Sequence, residues 1–242
     1  SARKNASLRP YPNGSNGVDV AEYSGKAERY TITRNADSSY TVTDSKLLGG
    51  DGADTLTNIE VLRFADGEKN LEVISSPMLQ WSWNPQTGDW GTTVTGMNWR
   101  GTDWADTIDA TVGETATGWR DDVDAGAGSD NIKTGKGGDF IRPGEGDDTV
   151  DGGANGTSGY TWNDNDVVSY DAPVRRFAIS LSEDTTSGLR TFTVTDKLPA
   201  EFGGFGADTL INVETLQFMD GSKDLQVSFN SGGSQNDIRG TD

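Results

Sequence analysis

Apolar residues along this chain recur at every second position, and nowhere over a long stretch at the spacing of a helix face. In "YTIT" (30–33) Tyr30 and Ile32 alternate with threonines, as Tyr40 and Val42 do in "YTVTD" (40–44). The alternation returns at Phe177 and Ile179 and at Phe192 and Val194. A period of two turns one face of a pleated strand inward, so these segments predict short, half-buried strands. The runs "NADSS" and "EDTTSG" separate them, and "ADG" and "MDG" predict tight hairpins before a further strand. The predicted fold class is all-β.

The pattern occurs twice. "VDVAEYSGKAERYTIT" (18–33) aligns with "NDVVSYDAPVRRFAIS" (165–180), and "YTVTD" with "FTVTD" (192–196). "GADTLTNIEVLRFADGEKNLEV" (52–73) then aligns with "GADTLINVETLQFMDGSKDLQV" (206–227). Length differences between the copies fall in connecting loops, where insertions are tolerated. The expected organisation is a first β unit at 1–75, a Trp-rich connector at 76–120, a repeat at 121–166 and a second β unit at 167–230. Residues 231–242, "SQNDIRGTD" within them, resemble "NWRGTDWADTI" and read as the opening of another unit of a longer repeated chain.

The stretch between the copies has a stricter period. "AGAGSDNIK", "TGKGGDFIR" and "PGEGDDTVD" follow one another in frame from residue 125. Glycine takes the second and fourth places of each: Gly126 and Gly128, Gly135 and Gly137, Gly144 and Gly146. Aspartate is sixth, at Asp130, Asp139 and Asp148, and an aliphatic residue eighth, at Ile132, Ile141 and Val150. Glycine permits a tight turn at positive φ and leaves its carbonyl uncovered. Stacked turns of this kind bury one apolar column and align carbonyls and carboxylates along their edges. Clustered, flexible oxygen ligands suit Ca2+, whereas Mg2+ resists dehydration.

Charge changes the picture further. The formal net charge is −18, which disfavours nucleic acid and anionic membrane surfaces as partners. Hydrophobic residues are only 32% of the 242, yet seven Trp, eight Phe and six Tyr argue for folded β structure rather than disorder. Cysteine and histidine are both absent, so disulfides, zinc sites, thiol nucleophiles and His-based triads cannot be built. No apolar run approaches membrane length and no segment reads as a signal peptide. Neither G-x-S-x-G nor a phosphate loop is present, and no enzymatic role is expected.

With its glycines and aspartates in this frame, the stretch resembles the RTX family, whose G-G-x-G-x-D-x-U-x nonapeptide forms a calcium-bound parallel β-roll. The resemblance implies a short roll flanked by two homologous small antiparallel β units, and an ion between alternate nonapeptides. Extended in both directions, the frame reaches Asp121 and Asp166, each followed two places later by valine. One edge is then expected to carry Asp130, Asp148 and Asp166, the other Asp121 and Asp139, with about three Ca2+ ions between them. "GGDGADTL" (49–56) and "GGFGADTL" (203–210) fit the motif but stand alone, and read as ordinary glycine turns. Asp54 and Asp208 could still complete a site against another segment. Asp19 and Asp106 are similar half-motifs capping the units.

The resemblance further implies secretion by a type I route to the cell surface or exterior, where calcium would fold the chain into a structural or adhesive module. Partners would be calcium, surface glycans or other copies of the parent protein, without membrane insertion. Trp81, Trp83, Trp90, Trp99 and Trp104 cluster within 76–120. Either they pack at the roll end or between the two units, or Trp81, Trp83 and Trp90 stack on sugars as a carbohydrate-binding face. Coplanar, exposed rings would favour the second.

Overall fold

The computed structural model describes residues 18–46, 48–84, 86, 88–112, 120–154, 165–183 and 190–225. The chain divides into two compact units, Ser1–Ser76 and Pro77–Asp242. The expected further repeat at 231–242 lies outside the described residues, as do Trp119 and Trp162.

In the first unit the alternating segments become β1 (Val20–Glu22), β2 (Tyr30–Arg34), β3 (Tyr40–Asp44), β4 (Ala53–Leu56), β5 (Val61–Phe64) and β6 (Gly67–Asn70). β2, β3 and β4 form an antiparallel sheet, whereas β1 runs parallel to β5, which turns back into β6. The unit is therefore mixed rather than antiparallel. Tyr23, Tyr30 and Phe64 pack as an aromatic cluster, with centroids 4.9–5.6 Å apart, beside buried Val42, Leu62 and Leu71. Arg29 donates to both oxygens of Asp44, at 2.7 and 2.6 Å, and holds that carboxyl well below its ordinary range.

β7 (Ile74–Asn84) starts in the last three residues of the first unit, and the second continues with β8 (Asp89–Thr102), β9 (Thr107–Asp109), β10 (Asp122–Gly126), β11 (Asn131–Lys133), β12 (Phe140–Arg142), β13 (Thr149–Asp151) and β14 (Val167–Tyr170). The hairpin pair β15 (Phe177–Glu183) and β16 (Arg190–Asp196) comes next, then β17 (Ala207–Ile211), β18 (Thr215–Phe218) and β19 (Gly221–Asp224). Two sheets result, ordered β19-β18-β14-β12-β10-β8-β7 and β15-β16-β17-β13-β11-β9. From β8 to β18 the first is parallel, and from β9 to β17 so is the second. The chain crosses between sheets every nine residues through the nonapeptides, which makes a β-roll. Ile108, Val123, Ile132, Ile141, Val150, Val168, Leu210 and Leu216 form its inward column, each at most 1% exposed.

Roll and second β unit are thus one body. The duplicated strands β14, β17 and β18 continue the nonapeptide sheets, since they bury the same apolar position of the same pleat. The connector is structural too: Asn98–Thr102 of β8 pairs with β10, and β9 with β11, which adds a coil without the glycine signature. Arg176 repeats Arg29, donating to Asp196 at 2.8 and 2.5 Å.

Candidate metal centre

The turn glycines are fixed by how closely the coils stack. Gly144 has φ +102° and Gly146 φ +137°, and a Cβ there would lie 1.8 Å from the carbonyl oxygens of Gly126 and Gly128. Gly153 stands over Gly135 in the same way, at 1.9 Å. Gly135 and Gly137 have φ +96° and +125°. The turns therefore stack main-chain oxygens of successive coils with no side chain between them, the Gly126 and Gly135 carbonyls accepting the Glu145 and Ala154 N–H groups at 3.1 and 2.8 Å.

Each nonapeptide aspartate follows its turn and points inward. Asp121, Asp130, Asp139, Asp148 and Asp166 are at most 2% exposed. Their Oδ1 atoms accept the backbone N–H of the residue one coil earlier on the same edge. One ladder runs from Asp106 to Asp130 (2.8 Å), Asp130 to Asp148 (2.8 Å) and Asp148 to Asp208 (3.0 Å). The other runs from Met97 to Asp121 (2.6 Å), Asp121 to Asp139 (2.7 Å) and Asp139 to Asp166 (2.8 Å). Asp166 thus belongs with Asp121 and Asp139, not with Asp130 and Asp148. A simple count of nines put it on the wrong edge because residues 152–166 make one crossing longer than a nonapeptide.

The second oxygen of these carboxylates is the informative one. Oδ2 of Asp130, Asp148 and Asp166 is buried, and no donor among the described residues reaches it. Burial pushes the Asp130 carboxyl up to about 7, with Asp148 and Asp106 adding repulsion. Asp148 is pushed up to about 6 and Asp166 to about 9, again chiefly by burial. A buried carboxylate with an open oxygen is costly unless it is protonated or meets a cation. Carboxylates and turn carbonyls stacked in this way would supply hard oxygen donors of the kind Ca2+ takes. No three acidic side chains converge on one point among the described residues, so main-chain oxygens would complete each shell.

The half-motifs separate by their partners. Asp208 is fully buried in β17, stacked against β13, so the turn at 203–208 is a coil of the roll rather than an isolated loop. Its Oδ2 accepts the Tyr170 hydroxyl at 2.7 Å, which uses both oxygens, although burial pushes its pKa up to about 8. Asp106 Oδ2 accepts Thr102 N–H and Oγ1, at 2.7 and 2.8 Å. Both close the ladder ends. Glu214, unremarked in the sequence, accepts the Asp166 N–H at 2.8 Å, as Glu60 accepts that of Asp19 at 2.6 Å. The aligned "NIE" and "NVE" carried that signal. Asp54 and Asp19 sit in the first unit, away from the nonapeptides in the chain.

Trp81, Trp83 and Trp90 lie on β7 and β8 and are 69%, 50% and 65% exposed. Trp83 and Trp90 meet edge-on, at 5.7 Å and 61°, rather than coplanar. Trp99 and Trp104 are half-buried.

Comparison with known protein families and with curated proteins finds no match. Among solved structures, one similar in part is the extracellular lipase LipA from Serratia marcescens, 12% identical, with a TM-score of 0.22. The likeness covers 83% of this chain and 31% of that one. No helix among the described residues is long and apolar enough to cross a membrane.

Proposed function

We propose that the second unit is a calcium-folded module of the RTX type, serving a structural or adhesive role in a protein secreted by a type I route. The observation that carries this reading is the row of buried carboxylate oxygens without donors at Asp130, Asp148 and Asp166. About three ions fit the ladders, one between Asp130 and Asp148 and two along Asp121, Asp139 and Asp166. Bound Ca2+ would supply the positive charge that lets these carboxylates stay ionised while buried. The chain's own part is to hold them in register, through the amide ladder and the turns of Gly126, Gly128, Gly135, Gly137, Gly144 and Gly146. Without the cation, glycine entropy and carboxylate repulsion favour the unfolded roll. Extracellular modules bind Ca2+ with Kd on the order of 10⁻⁴ to 10⁻³ M, so the chain would fold after export. At ~10-fold excess over Kd each ion adds roughly 1.4 kcal/mol. No residue of the module is assigned a catalytic role.

Calorimetric calcium titration of the chelated protein, with far-UV circular dichroism in parallel, tests the reading. Several saturable sites and β signal gained on binding are expected, with Asp148→Ala and Asp166→Ala each losing heat and signal. A chelated protein already folded, and indifferent to calcium, would overturn it.

The exposure of Trp81, Trp83 and Trp90 supports a second reading, a glycan-binding face on the β7–β8 pair, while the edge-on meeting of Trp83 and Trp90 counts against it. Glycan-array binding lost in Trp81→Ala and Trp90→Ala variants, with unchanged calcium response, is the result it requires.

A further inference from the structure

The duplicated units differ in what covers them. In the second unit, β14 and β17 are interior strands, paired on one side with β12 and β13 of the roll. Their counterparts in the first unit, β1 and β4, are edge strands among the described residues. The side chains under that seat change accordingly. Val168 and Leu210 are fully buried, whereas the aligned Ala21 and Leu56 are partly exposed. Asp208 is fully buried while the aligned Asp54 is not.

The seat is nonetheless prepared. Gly52 holds φ +83°, matching +80° at the aligned Gly206. At Gly206 a Cβ would lie 2.2 Å from the Gly146 carbonyl of the roll, whereas at Gly52 it would meet nothing within 4 Å. Asp19 keeps its Glu60 cap, as Asp166 keeps Glu214. Asp54 retains a buried Oδ2 that no donor reaches. In the second unit Val167 N–H and Thr209 N–H donate to the Asp139 and Asp148 carbonyls, at 2.8 and 2.7 Å. The aligned donors in the first unit are Val20 and Thr55.

We propose that the β1 and β4 edges of the first unit are a docking seat for the C-terminal edge of a glycine-rich nonapeptide roll, held as the second unit holds β12 and β13. The occupant is an Asp-bearing turn followed by a three-residue strand. Its aspartate amides would donate to Asp19 and Asp54, and its aspartate carbonyls would accept from Val20 and Thr55. This chain's own β12 and β13 already pair with β14 and β17, so a folded second copy has no such edge to offer. Main-chain pairing fixes the register, which is β-augmentation in its parallel form. The contact uses ladder hydrogen bonds and not the cation, and so stands apart from the calcium reading.

The test is a graft: residues 77–165 placed directly before Asp19 of the full chain, at the junction that 165 makes with Asp166. Hydrogen exchange in calcium is then read at Val20 and Thr55, with Val167 and Thr209 as internal standards. Slowing of both by ~100-fold relative to the ungrafted chain, to the level of the standards, is expected. If Val20 and Thr55 exchange as before while Val167 and Thr209 remain protected, the seat does not accept a roll and the proposal fails. Protection that appears in the ungrafted chain as concentration rises would assign the edges to a second copy and overturn it equally. Loss of protection at Val167 and Thr209 in the ungrafted chain on chelation bears only on the calcium reading.

Discussion

At the scale of single residues, the turn glycines and the ladder aspartates make different demands. Gly146→Ala meets both a positive φ and a carbonyl 1.8 Å away, whereas Gly49→Ala has φ +67° but nothing within 4 Å. We expect the first to cost about 3 kcal/mol or more and the second about 1 kcal/mol, from urea unfolding in calcium. The aspartates respond to pH. In the folded roll burial pushes the Asp148, Asp130 and Asp166 carboxyls up to about 6, 7 and 9, above the ~4 of an unfolded aspartate. The folded form therefore holds more protons, and its stability falls as pH rises from ~4 through these values. The chelated protein should gain β signal in far-UV circular dichroism as pH falls from 8 to 5, and calcium should remove that dependence. An equal β signal at both pH values in chelator would contradict the burial of these groups without a cation.

At the scale of elements, the apolar column and the arginine braces hold the roll and the cap. Ile141→Ala removes a fully buried side chain between β10 and β14 and should cost about 3 kcal/mol. Arg176→Ala leaves the Asp196 carboxylate, whose side chain is fully buried, without its bidentate partner. A loss of about 2 kcal/mol or more is expected, and Asp196→Asn in the same chain should recover part of it, read as melting temperature. Trp90→Ala, on the exposed β7–β8 pair, should change that temperature little. Phe177 packs against Phe205 at 5.9 Å, whereas the aligned Tyr30 donates its hydroxyl to the aligned Asp51. An apolar contact in one unit is a polar one in the other, and both join the strand-β2-type segment to the glycine turn.

At the scale of the whole molecule, the second unit behaves as a stack that each coil extends and the duplicated hairpins close. The β15–β16 pair sits beyond β17, and β19 beyond β18, so the parallel edges end in antiparallel strands. The outermost positions at that end are therefore taken by β15 and β19 and not by a parallel coil. The first unit has the same closing hairpins, and the exchange experiment on the graft reads whether its other side takes a roll.

Much of this was legible in the chain because the information is local. A glycine at the second and fourth places, an aspartate at the sixth and an aliphatic residue at the eighth specify a turn and a strand within nine residues, so the inward column and the aspartates after each turn follow from spacing, while the roll and its two edges were implied by the family resemblance that those residues carry. The duplication likewise exposed the paired units. Other features depend on how often the chain crosses between sheets. A long insertion and a nonapeptide each make one crossing, so only the folded path assigns Asp166 to the edge of Asp121 and Asp139. The same path brings Asp208 onto Asp148, sixty residues away, and the Tyr170 hydroxyl onto its second oxygen. Which carboxylate oxygens stay open to a cation is a property of those distant contacts. Sequence by itself determined the repeating coil, because each coil is built from neighbours; tertiary structure decided the order of stacking and the ends of the ladders, because these join residues far apart in the chain.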